Sequence, residues 1–390
     1  MHTRYIYTGA VVAVVVILGL YLFSRPANAP VNSDYSVTVF VKNLPGVRVV
    51  VFDDTGRMFA SQPSEGKVVR LDDSNNDGVA DKIVTILSGL REPHGLAFYQ
   101  DAKTKSQYLY VAETHQVARY AYDQSKGTVS DRGKNIMNFP ADGLHPWRSI
   151  VFGPNLRTGA IISGGGPLSD PPGASSPIKL YATVPSSCDA CIETSWKSGA
   201  IIESDPDGTY AAEIAAGFAD AEFLTFRPDT KELWATDAGR MQGPSDVPGE
   251  INLVQLKKNY GWPICYGNKI TDTSFKPGKI ERTDIPKECS GTQSPATLVP
   301  HNSRPLGLGF IPKAKPWPQG WQGNLLVVLS GERKIMRYVP NAQNLGTPEE
   351  ININLGDSGK LSALAVSLLG SLYVSDEERG VIFKITPSGP

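Results

Sequence analysis

FLTFRPDTKELWATD, Phe223 to Asp237, is a short apolar run, a turn built on Pro228 and Asp229, and a second apolar run that ends in a polar corner. Runs of this length, rich in Phe, Leu, Trp and Thr and bounded by turn residues, read as a pair of antiparallel strands. The same phrase recurs at Val49 to Ala60 (VVVFDDTGRMFA), Gly95 to Glu113 (GLAFYQDAKTKSQYLYVAE), Ser149 to Ser163 (SIVFGPNLRTGAIIS), Leu306 to Leu329 and Leu364 to Asp376 (LAVSLLGSLYVSD). A strand, a turn and a strand repeated at intervals of roughly 45 to 85 residues is the pattern of β-propeller blades. The expected fold is all-β, a six-bladed β-propeller over residues 31–390 that follows a separate N-terminal segment at 1–30. Closure requires the two ends of the chain to share a sheet, so Tyr35 to Val41 is expected to pair with the last strand, Val381 to Ile385.

Doubly wound α/β proteins carry helical periodicity between their strands, whereas here the intervening segments are rich in Gly, Pro, Asp and Ser. The 38 Gly and 30 Pro agree with many turns. The 390 residues fit one large all-β domain. Net charge is −1, with 38 basic and 39 acidic residues spread along the chain, so nothing marks it as a nucleic-acid binder. In a propeller, loops from every blade converge at one end of a central channel, and function is expected there.

The N-terminus reads differently from the rest. Met1 to Arg4 is basic and Tyr5 to Phe23 is almost wholly apolar. At ~1.5 Å per residue that stretch is just long enough to span a bilayer. Ala27-Asn28-Ala29 has the form of a secretory cleavage site, but Pro30 follows it and makes a poor cut. The expectation is an uncleaved membrane anchor with the propeller on the periplasmic or extracellular side; secretion is the alternative. The four cysteines, an even number in an exported chain, agree and read as two disulfides, Cys188–Cys191 and Cys265–Cys289. Cys188 to Cys191 could instead be half of a zinc or redox motif, but the chain has no second CxxC.

Two loops are candidates for calcium. Asp73, Asn75, Asp77 and Asp81 stand at positions 1, 3, 5 and 9 of a calcium-type loop with Gly78 at 6, yet Val84 occupies position 12, where a bidentate Glu belongs. A solvated Asp/Asn/Gly hairpin explains the same residues. The second candidate is LWATDAGRMQGPSDVPGEINLVQLKKNYGWPICYG, Leu233 to Gly267, a strand, a loop dense in Gly, Pro and Asp whose carbonyls suit a hard cation, another strand and an aromatic turn. Apart from His2, the histidines are His94, His115, His145 and His301. By residue type alone each is more often a hydrogen-bonded structural histidine than a catalytic one.

ELWATDAGR, GEINLV and NYGWPICYG in that stretch resemble the fourth-blade motif of the glucose/sorbosone dehydrogenase family, six-bladed enzymes that depend on pyrroloquinoline quinone (PQQ). The resemblance keeps its order along the chain. PHGLAF at Pro93 with YVAETH at Tyr110 is similar to the second blade, HPWR at His145 with IVFGP at Ile150 to the third, and SSCDAC at Ser186 to a disulfide loop. HNSRPLGL at His301 resembles the fifth blade and SLYVSD at Ser371 the sixth.

The resemblance implies oxidation of an aldose, sorbosone-like sugar or polyol, with PQQ and calcium as cofactors and an external electron acceptor as partner. It implies His145 as general base, the carbonyls of Gly239 and Arg240 as calcium ligands, and Arg148, Arg240 and Lys360 as basic residues facing the cofactor's carboxylates. The chain departs from the pattern where Ala219-Asp220 stands in place of Arg-Asn, where Lys360 replaces an Arg, and where Ser330 to Arg333 shortens a loop. Asp220 in the channel would oppose a tricarboxylate; Arg304, where the family has a small residue, could offset it. A propeller that has lost PQQ and only binds, and a metal-dependent lactonase-like hydrolase, are the alternative functions.

Overall fold

The computed structural model describes residues 35–387 apart from 131, 160–175, 243–246, 277, 279–284, 314–315, 342–343, 352, 354 and 357–358. Each recurrent unit except the third supplies the two inner strands of one blade, and there are six blades. Blade one is Val50–Phe52, Met58–Gln62, Lys67–Asp72 and Lys82–Leu87, and blade two Leu96–Gln100, Gln107–Glu113, Gln116–Asp123 and Lys134–Asn138. Blade three is Ile150–Pro154, Ile178–Val184, Ala200–Ser204 and Ala212–Ala216, and blade four Phe223–Phe226, Leu233–Asp237, Gly249–Leu253 and Thr297–Val299. Blade five is Pro305–Phe310, Leu325–Leu329, Lys334–Tyr338 and Glu349–Glu350; blade six is Leu361–Val366, Leu372–Asp376 and Val381–Pro387 with Tyr35–Val41.

The ring closes as expected, Tyr35 lying opposite Pro387 and Val39 opposite Phe383. The third unit departs from its reading. Its first strand ends at Pro154, the Asn155 side chain accepts the Arg157 N–H at 2.9 Å, and a helical turn follows over Leu156–Gly159. The second strand comes only at Ile178–Val184; the expected strand to Ser163 runs into residues outside those described. The apolar stretch Tyr5 to Phe23 is also outside them, and among the described residues no helix is long and apolar enough to cross a membrane.

Burial explains why the inner strands read as apolar runs and not as alternating ones. Leu325–Leu329 is buried at every position because both faces of a blade pack on neighbouring blades, whereas Lys82–Leu87 on the rim is mostly exposed. The innermost strands approach very closely around the channel. A Cβ on Gly307 would lie 2.5 Å from the Leu364 nitrogen, and one on Gly95 2.6 Å from the Arg148 carbonyl oxygen. Only glycine permits that spacing.

Topology fixes the two ends of the ring. Loops leading into each first strand and corners between second and third strands lie at one end, and the hairpins joining first to second strands lie at the other.

Candidate active site

The leading loops bring one or more charged side chains from almost every blade to the channel, each one to three residues ahead of the first strand or in the adjoining loop. They are Arg48 in blade one, His94 in blade two, His145 and Arg148 in blade three, Asp220 and Glu222 in blade four, Arg304 in blade five and Lys360 in blade six. Arg48 is buried and spans the ring, pairing with Glu222 of the opposite blade and with Glu377 at the corner of blade six. Its guanidinium lies 4.3 Å from the centre of the Trp147 ring. Arg304 Nη2 contacts Glu222 Oε1 at 2.9 Å and Asp220 Oδ2 at 3.3 Å. Lys360 Nζ lies 3.2 Å from Glu377 Oε1.

His145 sits at the end of this network, its Nδ1 3.1 Å from Asp220 Oδ1. The imidazole is buried, not open to the channel as a freely accessible base would be. Burial pulls its pKa down, but Asp220, with the charges of Glu222 and Asp237, outweighs that and holds it above the ordinary value. Burial pushes Asp220 up, yet His145 and Arg304 keep it below the usual carboxylate range. Burial and then the Asp220 charge push Glu222 up to about 7 against the pull of Arg48 and Arg304. His145 Nε2, His94 Nε2 and the Nε atoms of Arg48 and Arg148 are all buried without a hydrogen-bond partner. So many orphaned donors and acceptors around one centre suit a polar ligand.

Arg148 is in the channel wall but turned inward. It donates to the carbonyls of His145 at 2.7 Å, Trp147 at 2.9 Å and Pro140 at 2.9 Å, so it fixes the loop that carries His145. Burial lowers its pKa to about 10. The Arg240 side chain points away from the centre, to Asp189 at 2.8 Å and to Asp272. Asp189 lies inside the Cys188–Cys191 bridge, which is formed, as is Cys265–Cys289. His94 pairs its Nδ1 with the Arg148 carbonyl at 3.0 Å, and burial drives its pKa well down. His301 pairs with the Val247 carbonyl at 2.8 Å.

Asp237 ends the second strand of blade four and accepts the N–H groups of Ala219, Asp220 and Gly239. Gly239, Arg240 and Glu250 line a small cavity beside it. Burial, then the Asp237 charge, pushes Glu250 up to about 8. The other calcium candidate is closed on itself: Asp73 accepts the N–H of Asp77 and Gly78, and Asp81 those of Ser74 and Asn75, while Asn75 and Asp77 also bond within the loop. Among the described residues these side chains do not gather into a group of three metal ligands.

The sequence matches the TrAA12-like family over residues 29–317. The chain belongs to that family. Membership in the TrAA12-like family accords with the solved folds: the chain superposes on a carbohydrate-active enzyme of family AA12 from Trichoderma reesei with a TM-score of 0.69, at 16% identity over 93% of this chain and 100% of that one. It superposes on the PQQ-bound aldose sugar dehydrogenase of Streptomyces coelicolor with a TM-score of 0.64, at 17% identity over 91% and 99%. Two curated relatives are similar in sequence. The pentonolactonase XacC of Haloferax volcanii is 26% identical over 49% of this chain and 52% of its own length. The aldose sugar dehydrogenase YliI of Escherichia coli is 25% identical over 45% and 44%. The chain thus spans about half the length of the curated relatives it matches.

Arg48, Glu222 and Glu377 were not among the residues singled out from the sequence. A signal for the first two exists: each is a lone charge set directly against an apolar first strand, in RVVVF and EFLTF, at the offset where His145-Pro-Trp-Arg148 stands in blade three.

Proposed function

We propose that the chain is an exported sugar dehydrogenase that removes hydride from a CH–OH group of an aldose, sorbosone-like sugar or polyol, holding PQQ and calcium in the channel and passing electrons to an external acceptor. The observation that carries this reading is the buried His145–Asp220 pair, which leaves the imidazole Nε2 without a hydrogen-bond partner. When bound, the ortho-quinone would supply the hydride acceptor. His145 Nε2 takes the hydroxyl proton, and Asp220 stabilises the imidazolium that results. Arg148 fixes the His145 backbone. Arg304 and Lys360, with 34% and 43% of their side chains exposed, are the cations able to meet carboxylates arriving from solvent. Calcium would be held by the carbonyls of Gly239 and Arg240 with Glu250, a buried carboxylate lining the same small cavity.

Titrating the purified protein with PQQ and calcium while following quinone absorbance and sugar-dependent dye reduction tests the reading. Saturable binding with dye reduction supports it; no dye reduction with any aldose or polyol overturns it. The pentonolactonase relative favours a second reading, a metal-dependent lactonase. Lactone hydrolysis that needs metal but no quinone would identify it. The apolar run Tyr5 to Phe23 supports an N-terminal membrane anchor. Retention in the membrane fraction after alkaline extraction is expected, and full release would exclude an anchor.

A further inference from the structure

The cations nearest the channel mouth are engaged before any ligand arrives. Arg48, Arg304 and Lys360 are each already paired with one or two of the carboxylates Asp220, Glu222 and Glu377. One nitrogen of Arg304 serves two buried carboxylates, while a third of that side chain is exposed to the mouth. An anion that reaches Arg304 therefore brings a further carboxylate to a guanidinium already shared between two. In a poorly hydrated site, that excess negative charge must be removed for the ligand to bind.

We propose that a polycarboxylate ligand binds this channel at Arg304 and Lys360 with uptake of one proton by Glu222, the ligand carboxylate taking over Arg304 as the glutamate becomes neutral. Glu222 is the group placed to do this. It is fully buried between Arg48 from blade one and Arg304 from blade five, with Asp220 beside it on its own loop. The remaining charged or titratable groups around it are His145 from blade three, held by Asp220; Asp237 behind Asp220, satisfied by three N–H groups; Glu377 and Lys360 of blade six, reached through Arg48; and Arg148 and His94 in the wall. Asp220 cannot substitute as the acceptor without releasing His145. Glu377 is partly exposed and has water to screen it. Burial and the Asp220 charge already hold Glu222 near half-protonation at neutral pH, so one more nearby negative charge completes the step.

The sign follows from linkage. An arriving carboxylate raises the Glu222 pKa further, so below about 7 the proton is already present and affinity does not change on account of this group. Above that value each pH unit weakens binding about tenfold until the pKa of the complex is passed. His145, held above its ordinary value by Asp220, is a second titrating group nearby, which is why the comparison must be made against a variant at Glu222.

The inference rests on the cofactor reading only for the choice of PQQ as ligand, and a second, redox-inert ligand separates the two. Calorimetric titration of the full chain in detergent with calcium, in two buffers of different ionisation enthalpy, counts the protons taken up with PQQ and with trimesate, a planar tricarboxylate. At pH 8, wild type should take up about one proton more than Glu222→Gln, and its affinity should fall about fivefold from pH 7 to 8 while that of the variant changes less. Equal proton counts, or a pH-independent wild-type affinity, would overturn the inference and leave PQQ binding intact. Trimesate binding with the Glu222-linked proton, without PQQ binding, would uphold the inference and sink the cofactor reading. Failure of both ligands to bind either protein between pH 6 and 8 would sink both. Should Glu222→Gln not fold, an infrared difference spectrum of wild type with isotopically labelled trimesate must show a new protein carboxyl band, and its absence would overturn the proposal.

Discussion

At the scale of single residues, His145 as the proposed base can accept a substrate proton only after it has given up its own, and Asp220 decides when that happens. Because Asp220 and its acidic neighbours hold the imidazole above its ordinary pKa, sugar oxidation should rise with pH through a limb that lies above about 6.5. Asp220→Asn removes the charge, so the limb should move to lower pH while turnover falls as the imidazole loses its orienting partner. His145→Ala should lower turnover by about 10² to 10⁴ with PQQ binding largely kept. Steady-state rates from pH 5 to 9 and a parallel absorbance titration check both; an unmoved limb in Asp220→Asn would place the titrating group elsewhere. His145 and Asp220 could be found from sequence because a motif and a departure from that motif marked them. The direction in which Arg148 and Arg240 point could not, since nearby backbone carbonyls decide the first and aspartates tens of residues away decide the second.

At the scale of elements, blades were legible where a tight hairpin kept two apolar runs together, as in Phe223 to Asp237. The third blade was not, because an Asn-capped turn and a long excursion part its first strand from its second. The contact between innermost strands of adjacent blades is also invisible until the ring is built, and it is sensitive. Gly307→Ala should destabilise the protein by ~1 to 3 kcal/mol, since the obstructing Leu364 nitrogen is backbone, while Gly320→Ala, with open space around it, should be near neutral. Thermal melts of the two variants compare them directly. The cavity of blade four gives a pH prediction. Glu250, pushed up to about 8, binds a proton in the folded chain that the unfolded chain lacks between the ordinary glutamate value and about 8. Unfolding free energy should therefore decline across that window as pH rises, by a few kcal/mol on the order of 1.4 kcal/mol per unit. Calcium held there as proposed would compete with that proton, so it should raise the melting temperature more at pH 8 than at pH 5.5. Glu250→Gln should flatten the pH dependence and lose the calcium response. A shift independent of pH would remove Glu250 from the calcium site.

At the scale of the whole molecule, the ring is one cooperative unit because its last blade is completed by the first strand of the propeller. Tyr35–Val41 is the outer strand of blade six, and Tyr35 packs with Trp321, Val374 and Ile385 in a cluster that joins blades five and six. Phe40 and Val41 join blade six to Val50, Met58 and Val69 of blade one in another. The strand therefore supports both seams that flank the point of closure. Its path also orients the molecule. The corner before Val381 lies at the channel mouth, Pro387 lies at the far end of that strand, and Tyr35 is opposite Pro387, so the chain enters the ring on the face away from His145. An N-terminal anchor would then leave the mouth facing away from the membrane. Removing residues 1–41 would uncover the Val381–Pro387 edge and open both seams together. Calorimetry should show loss of the main transition, or its displacement to much lower temperature as a single peak, accompanied by aggregation through the bare edge. A separate low-temperature peak over an otherwise unchanged main transition would mean that blade six unfolds alone, and the ring would then not depend on its closing strand.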